Sequence, residues 1–502
     1  MSAEWNRLLT RLRELNDLSG AATLLAWDQE VMLPPRGVPA RARQSAALAG
    51  VRHERLCDPE LDALIEACAG DRLDAVDAAI VREARRARDR AVKVDRSLVT
   101  ELAEATSLAQ QAWAQARERS DWPGFAPHLT RVVDLKRREA AAIGCGAEPY
   151  DALLDDFEPG ARAADLAPLF ARLRMELADL LATVTTAARG DKAAGDPGAL
   201  LTGDFAVAAQ EQLSREVLAA MGFDPSAGRL DVSAHPFTSA TSRGDVRLTT
   251  RYDQRDLRVG LYATIHEAGH GLYEQGLPAE LEGTPVSDCA SLGIHESQSR
   301  LWENLIGRSR EFWTCWAPRA RRLFPAALAH ADAEDLHRAV NVVRPSLIRI
   351  EADEITYNLH IVLRFELERA LLAGDIQVAQ LPALWDAGMR QSLGVTPARD
   401  AEGVLQDIHW ASGLFGYFPT YALGNLYAAQ FHAQAATELP DLPDLVSRGQ
   451  TGPLLDWLRR KIHVRARLWS AAELCRDVTG RDLDTEPFLS HLRRKFGQLY
   501  GL

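Results

Sequence analysis

Cysteine is scarce and unpatterned in this chain: six residues in 502, at positions 57, 68, 145, 289, 315 and 475, with no C-x-x-C pair. That speaks against a disulfide framework and against a cysteine-bound zinc, and a reduced, cytoplasmic protein is expected. Long apolar runs are missing too. None reaches the roughly 18 residues that a membrane span needs. The opening stretch, MSAEWNRLLTRLRELNDLSG, is charged throughout and lacks the apolar core of a signal peptide. Basic charge is not in excess: 58 Lys+Arg against 70 Asp+Glu leave a net charge of −12. A nucleic-acid binder would show a basic stripe. The one basic cluster, REARRARDRAVKV (82–94), is interleaved with apolar positions and reads as a solvated helix face.

What is present is mostly helix. Leu, Ala, Arg and Glu dominate, and apolar residues recur at three and four, as in DLAPLFARLRMELADLLATV and PLLDWLRRKIHVRARLW. Trp5, Leu8, Leu9, Leu12 and Leu15 mark an amphipathic first helix. No repeat is evident. A stretch rich in Gly, Ala and Asp at 186–204 reads as a surface connection. The expectation is one helical domain over 1–502, with sub-lobes 1–200 and 201–502 as the alternative division. One segment departs from helix: RLDVSAHPFTSATSRGDVRLTTRYDQRD (229–256), rich in Val, Thr, Phe and Tyr, predicts a β-hairpin or small sheet. A free strand edge there could pair with an extended peptide.

Immediately after it comes His266-Glu267-Ala268-Gly269-His270. On an α-helix, residues i and i+4 share a face, so two imidazoles can close on one metal ion with Glu267 beside them. This is the H-E-x-x-H arrangement of zinc hydrolases, which this composition would produce by chance only about 0.02 times. Gly269 and Gly271 each cost about 1 kcal/mol in helix propensity, yet glycines also admit a close neighbour. Catalytic zinc takes three protein ligands and keeps one open position. The extended metzincin pattern fails, because Tyr273 and Gly276 stand where it needs glycine and histidine. Carboxylates further on are Glu274, Glu280, Glu282, Asp288 and Glu296. Glu296 is favoured because it opens the helical run IHESQSRLWENLIGRS, and a rigid helix holds geometry better than a loop. His295 and Gln298 are expected as polar lining.

Six ordered motifs carry a resemblance: HPF (235–237), DVRLT (245–249), HEAGH (266–270), HESQ (295–298), IRIEAD (348–353) and GVLQDIHW (403–410). LAWDQEVMLPPRGVPAR (25–41) is similar as well. With these the sequence resembles the carboxypeptidase Taq family. The resemblance implies an almost wholly helical fold with a small β-sheet beside a deep active-site groove, and a homodimer. It also implies a metallocarboxypeptidase that releases single C-terminal residues from peptides with broad specificity, disfavouring proline. Zinc is the implied cofactor, with Co2+ able to substitute, and peptides are the implied partners. Carried over, His266, His270 and Glu296 are the metal ligands and Glu267 the catalytic carboxylate.

Glu267 stands where it can take a proton from water and pass it to the leaving amine. His409 and Tyr421 are candidates to hold the developing oxyanion. A free C-terminal carboxylate calls for an arginine fork, and Arg349 is the first candidate, Arg247 the second. The competing structural roles are ion pairs, Arg349 with Asp353 at i+4 and Arg247 with Asp245. His235 and Gln298 complete the substrate-binding candidates. Two alternatives stand: an oligopeptidase or dipeptidyl-type enzyme with the same metal chemistry, and a catalytically inactive peptide-binding scaffold.

Overall fold

The computed structural model describes residues 2–69, 73–144, 146–190 and 196–502. Cys145 and positions 191–195 of the 186–204 connection lie outside the described residues. The fold is mainly α, with one three-stranded sheet among the described residues. No described helix is long and apolar enough to cross a membrane. The five described cysteines are free.

The chain divides into two compact units, each assembled from three separated stretches. The first comprises Met1–Val92, Asp196–Val340 and Tyr427–Asp482. Its first helix, Ala3–Val31, is capped by the Ser2 side chain and buries Trp5, Leu8 and Leu12. Further along, the buried Trp27 lies under two guanidinium groups from the sheet, Arg247 at 4.3 Å and Arg229 at 5.1 Å. The expected basic face lies on helix Ala75–Lys93, where Arg85 and Arg88 pair with Glu66 and Asp62.

The sheet of this unit comprises β1 (Gly228–Val232), β2 (Thr238–Ser242) and β3 (Asp245–Thr250). β3 is central, parallel to β1 and antiparallel to β2. Arg243-Gly244 makes the tight turn between β2 and β3, and β2 is bulged near Ala240. Val246 and Leu248 on β3 are fully buried. Leu248 meets helix Leu257–Gly276, where Gly271 leaves room: a Cβ there would lie 2.7 Å from Leu248 Cδ2. The HPF and DVRLT segments are stitched together by Thr249, whose hydroxyl accepts from Phe237 N and whose own N–H donates to Phe237 O.

The second unit comprises Lys93–Gly195, Asn341–Leu426 and Leu483–Leu502. Helices Arg96–Arg119 and Trp122–Ile143 pack against one another and start at Asp95 and Asp121, each capping with its own side chain. Helix Tyr357–Ala373 is buried along most of its length and ends at Gly374, whose left-handed φ of 87° suits glycine.

Candidate metal centre

The motif helix Leu257–Gly276 starts at Asp256, whose carboxylate accepts from Arg258 N. It presents His266 and His270 on one face, one turn apart. A second helix, Leu292–Arg300, is capped by Ser291 and carries Glu296. The two helices touch at Gly269, where a Cβ would sit 2.5 Å from Ser299 Cα and 2.6 Å from Gln298 O. Only glycine lets these backbones approach so closely, and the approach brings the third group to the first two.

One nitrogen of His266, one of His270 and one carboxylate oxygen of Glu296 all lie within 4.8 Å of each other. Glu296 Oε2 is 3.6 Å from His266 Nε2 and 3.4 Å from His270 Nε2. Tetrahedral ligands about 2.0–2.1 Å from a zinc ion are separated by roughly 3.3 Å, so the spacing fits. The donor set fits as well: two imidazoles and one carboxylate leave a position open. The other acids are elsewhere. Glu280 and Glu282 are exposed, Asp288 pairs with Arg467, and Glu274 is 2.8 Å from His295 Nε2.

Local contacts set the protonation of each group. Burial, reinforced by neighbouring His295, pulls the His270 pKa down to about 3, so its imidazole is neutral as a ligand must be. Burial of Glu296 is outweighed by Arg300 and both histidines, and its carboxyl is held well below the usual range. Arg300 Nε donates to Glu296 Oε1 at 2.7 Å, which leaves Oε2 facing the imidazoles. Glu267 is buried, and burial raises its pKa against the pull of His266 and the Thr238 hydroxyl. Thr238 on β2 donates to Glu267 Oε2 at 2.7 Å.

His295 stacks on His270 with ring centroids 4.3 Å apart. Gln298 is fully buried, its amide shared between Ser297 and His463 Nε2 at 3.1 Å. It therefore braces the Glu296 helix from behind and has no surface for lining a pocket. Arg247 is held by Asp245 through Nε and Nη2, at 2.8 and 2.9 Å, and stacks on Trp27. His235 is exposed, and its carbonyl accepts from Ser233.

The remaining candidates lie in the second unit. Arg349 is buried and paired with Asp407, not with Asp353: Nε and Nη2 both reach Asp407 Oδ1, and Nη1 donates to Tyr357 Oη. Asp353 instead caps Ile355 and Thr356. Three of the five guanidinium donors of Arg349 are thus engaged. Asp407 also receives Arg364, and Gln406 Oε1 accepts from Arg349 N, so the IRIEAD and GVLQDIHW motifs form one cluster. Two arginines on one aspartate leave that cluster one positive charge in excess. His409 is held neutral by burial, its pKa down to about 3, and its Nε2 is 3.3 Å from Tyr421 Oη.

Three residues of the first unit were not singled out by the sequence: Thr238, Arg300 and Glu303. Glu303 places Oε2 2.9 Å from His266 Nδ1. Its signal was available: it stands seven residues after Glu296, two helical turns along the same face.

The sequence matches the family described as carboxypeptidase Taq (M32) metallopeptidase over residues 7–496. It is similar to thermostable carboxypeptidase 1 of Thermus thermophilus, 47% identical with 99% of each chain covered. It is also similar to carboxypeptidase 1 of Bacillus subtilis, 38% identical with 98% of this chain and 97% of that one covered. Among solved structures, the M32 carboxypeptidase from Deinococcus radiodurans R1 superposes with a TM-score of 0.96 at 38% identity, covering all of both chains.

Proposed function

The chain belongs to the carboxypeptidase Taq (M32) metallopeptidase family, and from that premise we propose that it releases single C-terminal amino acids from peptides, using one zinc ion held by His266, His270 and Glu296. The observation that carries this reading is the convergence of those three donors beside a buried Glu267. Two nitrogens and one oxygen favour zinc, with Co2+ as a substitute. A divalent ion in that position supplies Lewis acidity: it acidifies a water and polarises the scissile carbonyl.

The side chains do the rest. Glu267 has one oxygen held by Thr238, which leaves the other to accept the proton of the attacking water and return it to the leaving amine. His409 and Tyr421 are proposed as donors to the oxyanion, and Arg349 as the residue that recognises the terminal carboxylate. In support, the Arg349 cluster is cationic. Arg247 in the sheet and His235 in the β1–β2 connection are kept as further candidates to contact substrate, whereas Gln298 supports the ligand helix. A broad specificity that disfavours C-terminal proline, a cytoplasmic location and a homodimeric assembly belong to the same proposal.

Time-resolved mass spectrometry of a mixed peptide digest, with and without chelator, tests it. Peptides should shorten one residue at a time from the C-terminus, and C-amidated peptides should be spared. Internal cleavage or release of dipeptides would overturn the exopeptidase reading, and chelator-insensitive activity would overturn the metal.

A further inference from the structure

We infer that Glu303 is a positioning residue of this centre: its carboxylate fixes the His266 ring and, through Arg300, ties that ring to Glu296. The inference rests on the metal reading above.

Four contacts carry it. Glu303 Oε2 is 2.9 Å from His266 Nδ1 and 3.3 Å from Arg300 Nη1. Its Oε1 accepts from Arg308 Nη2 at 3.0 Å. Arg300 in turn donates through Nε to Glu296 Oε1 at 2.7 Å. His266 Nε2 faces Glu296 Oε2, so the chain of contacts closes on itself: His266, Glu303, Arg300, Glu296. A carboxylate at Nδ1 selects the tautomer with hydrogen on Nδ1 and a free lone pair on Nε2, and it makes that nitrogen a stronger donor.

The two histidines differ in this respect. His270 Nδ1 is buried with no hydrogen-bond partner, and on that side its ring is held by stacking on His295 and by an edge-on contact with His266. Orientation through hydrogen bonding is therefore concentrated on His266. The backbone is unusual at the same place. Glu303 sits in a π-helical turn, Leu301–Gly307, continuous with the Glu296 helix, and such turns recur at functional sites. Gly307 lets this turn lie against the motif helix, since a Cβ there would be 3.1 Å from Ile265 Cδ1. Charge adds a second reason: Glu296 and Glu303 balance Arg300 and Arg308.

Dissociation constants for Zn2+ and Co2+, from competition with a chromophoric chelator, test this on the full chain, together with the visible spectrum of the Co2+ form. Glu303→Ala should weaken both metals about 10–100-fold and alter the Co2+ bands. Glu303→Gln, which keeps the shape and one acceptor oxygen but loses the charge, should fall between it and the native protein. It also serves as the test if the alanine variant does not fold. Affinities within twofold of native, with an unchanged Co2+ spectrum, in the folded variants would overturn the inference. His270→Ala and Glu296→Ala separate the two levels. If they too bind as native, the metal reading fails; if they lose metal while the Glu303 variants keep it, only the role of Glu303 fails.

Discussion

Glu267 and Glu368 are both buried carboxylates with raised pKa values, and they call for opposite experiments. At Glu267 the function is proton transfer, so Glu267→Gln should keep the metal and lose turnover by roughly 10²–10⁴-fold. Metal analysis beside a peptide-release assay checks this, and near-native activity would remove the assignment. Thr238→Val, which keeps the shape but frees Glu267 Oε2, should lower kcat by a smaller factor with little change in KM. Glu368 lies in the second unit and accepts from Tyr150 Oη, Trp410 Nε1 and Gly416 N. Burial raises its pKa to about 7, against the pull of these donors and of Arg364. The folded chain thus binds a proton that the unfolded chain releases near pH 4.5. Its contribution to stability is full below that pH and is lost as pH rises through about 7, up to about 3 kcal/mol. Chemical denaturation at pH 5 and pH 8 should show the loss in the native protein and a flatter dependence in Glu368→Gln.

At the scale of elements, the ligand helices are set by how close they can come. Gly269 faces backbone, not a side-chain tip that could move aside. Gly269→Ala should therefore push the Glu296 helix away, cost about 1–3 kcal/mol by overpacking and weaken metal binding in the same step. Chelator titration and thermal unfolding of that variant check both effects, and a variant with native metal affinity would show that the helix contact does not set the donor spacing. The sheet works in a similar way. β2 delivers Thr238 to Glu267, and β3 packs on the motif helix through Leu248. The sheet was legible in the Val, Thr and Phe content of 229–256, but its order was not: the short connection from β1 to β2 reads as a hairpin, whereas β1 pairs with β3 in parallel.

For the whole molecule, a bound metal favours the folded state by mass action, about 4 kcal/mol at a thousandfold excess over Kd. Chelation should accordingly lower the midpoint of thermal unfolding, and Zn2+ should restore it. An unchanged midpoint would mean that the three donors hold no ion. The proposed dimer is checked by light scattering after size exclusion, where a mass near 55 kDa instead of twice that value would remove it.

Helical content, the shared face of His266 and His270 and the placement of Glu296 on a helix were readable from the chain because each rests on a local rule: a period of 3.6, a spacing of four, a carboxylate in a helical run. The partners of those groups were not. Arg349 stands four residues from Asp353 yet pairs with Asp407, 58 positions away. Gln298 follows Glu296 by two and is turned into the core against His463. His266 receives Glu303 across 37 positions. Spacing along one helix determines which face a side chain takes, whereas only packing between segments far apart in the chain settles what that face meets.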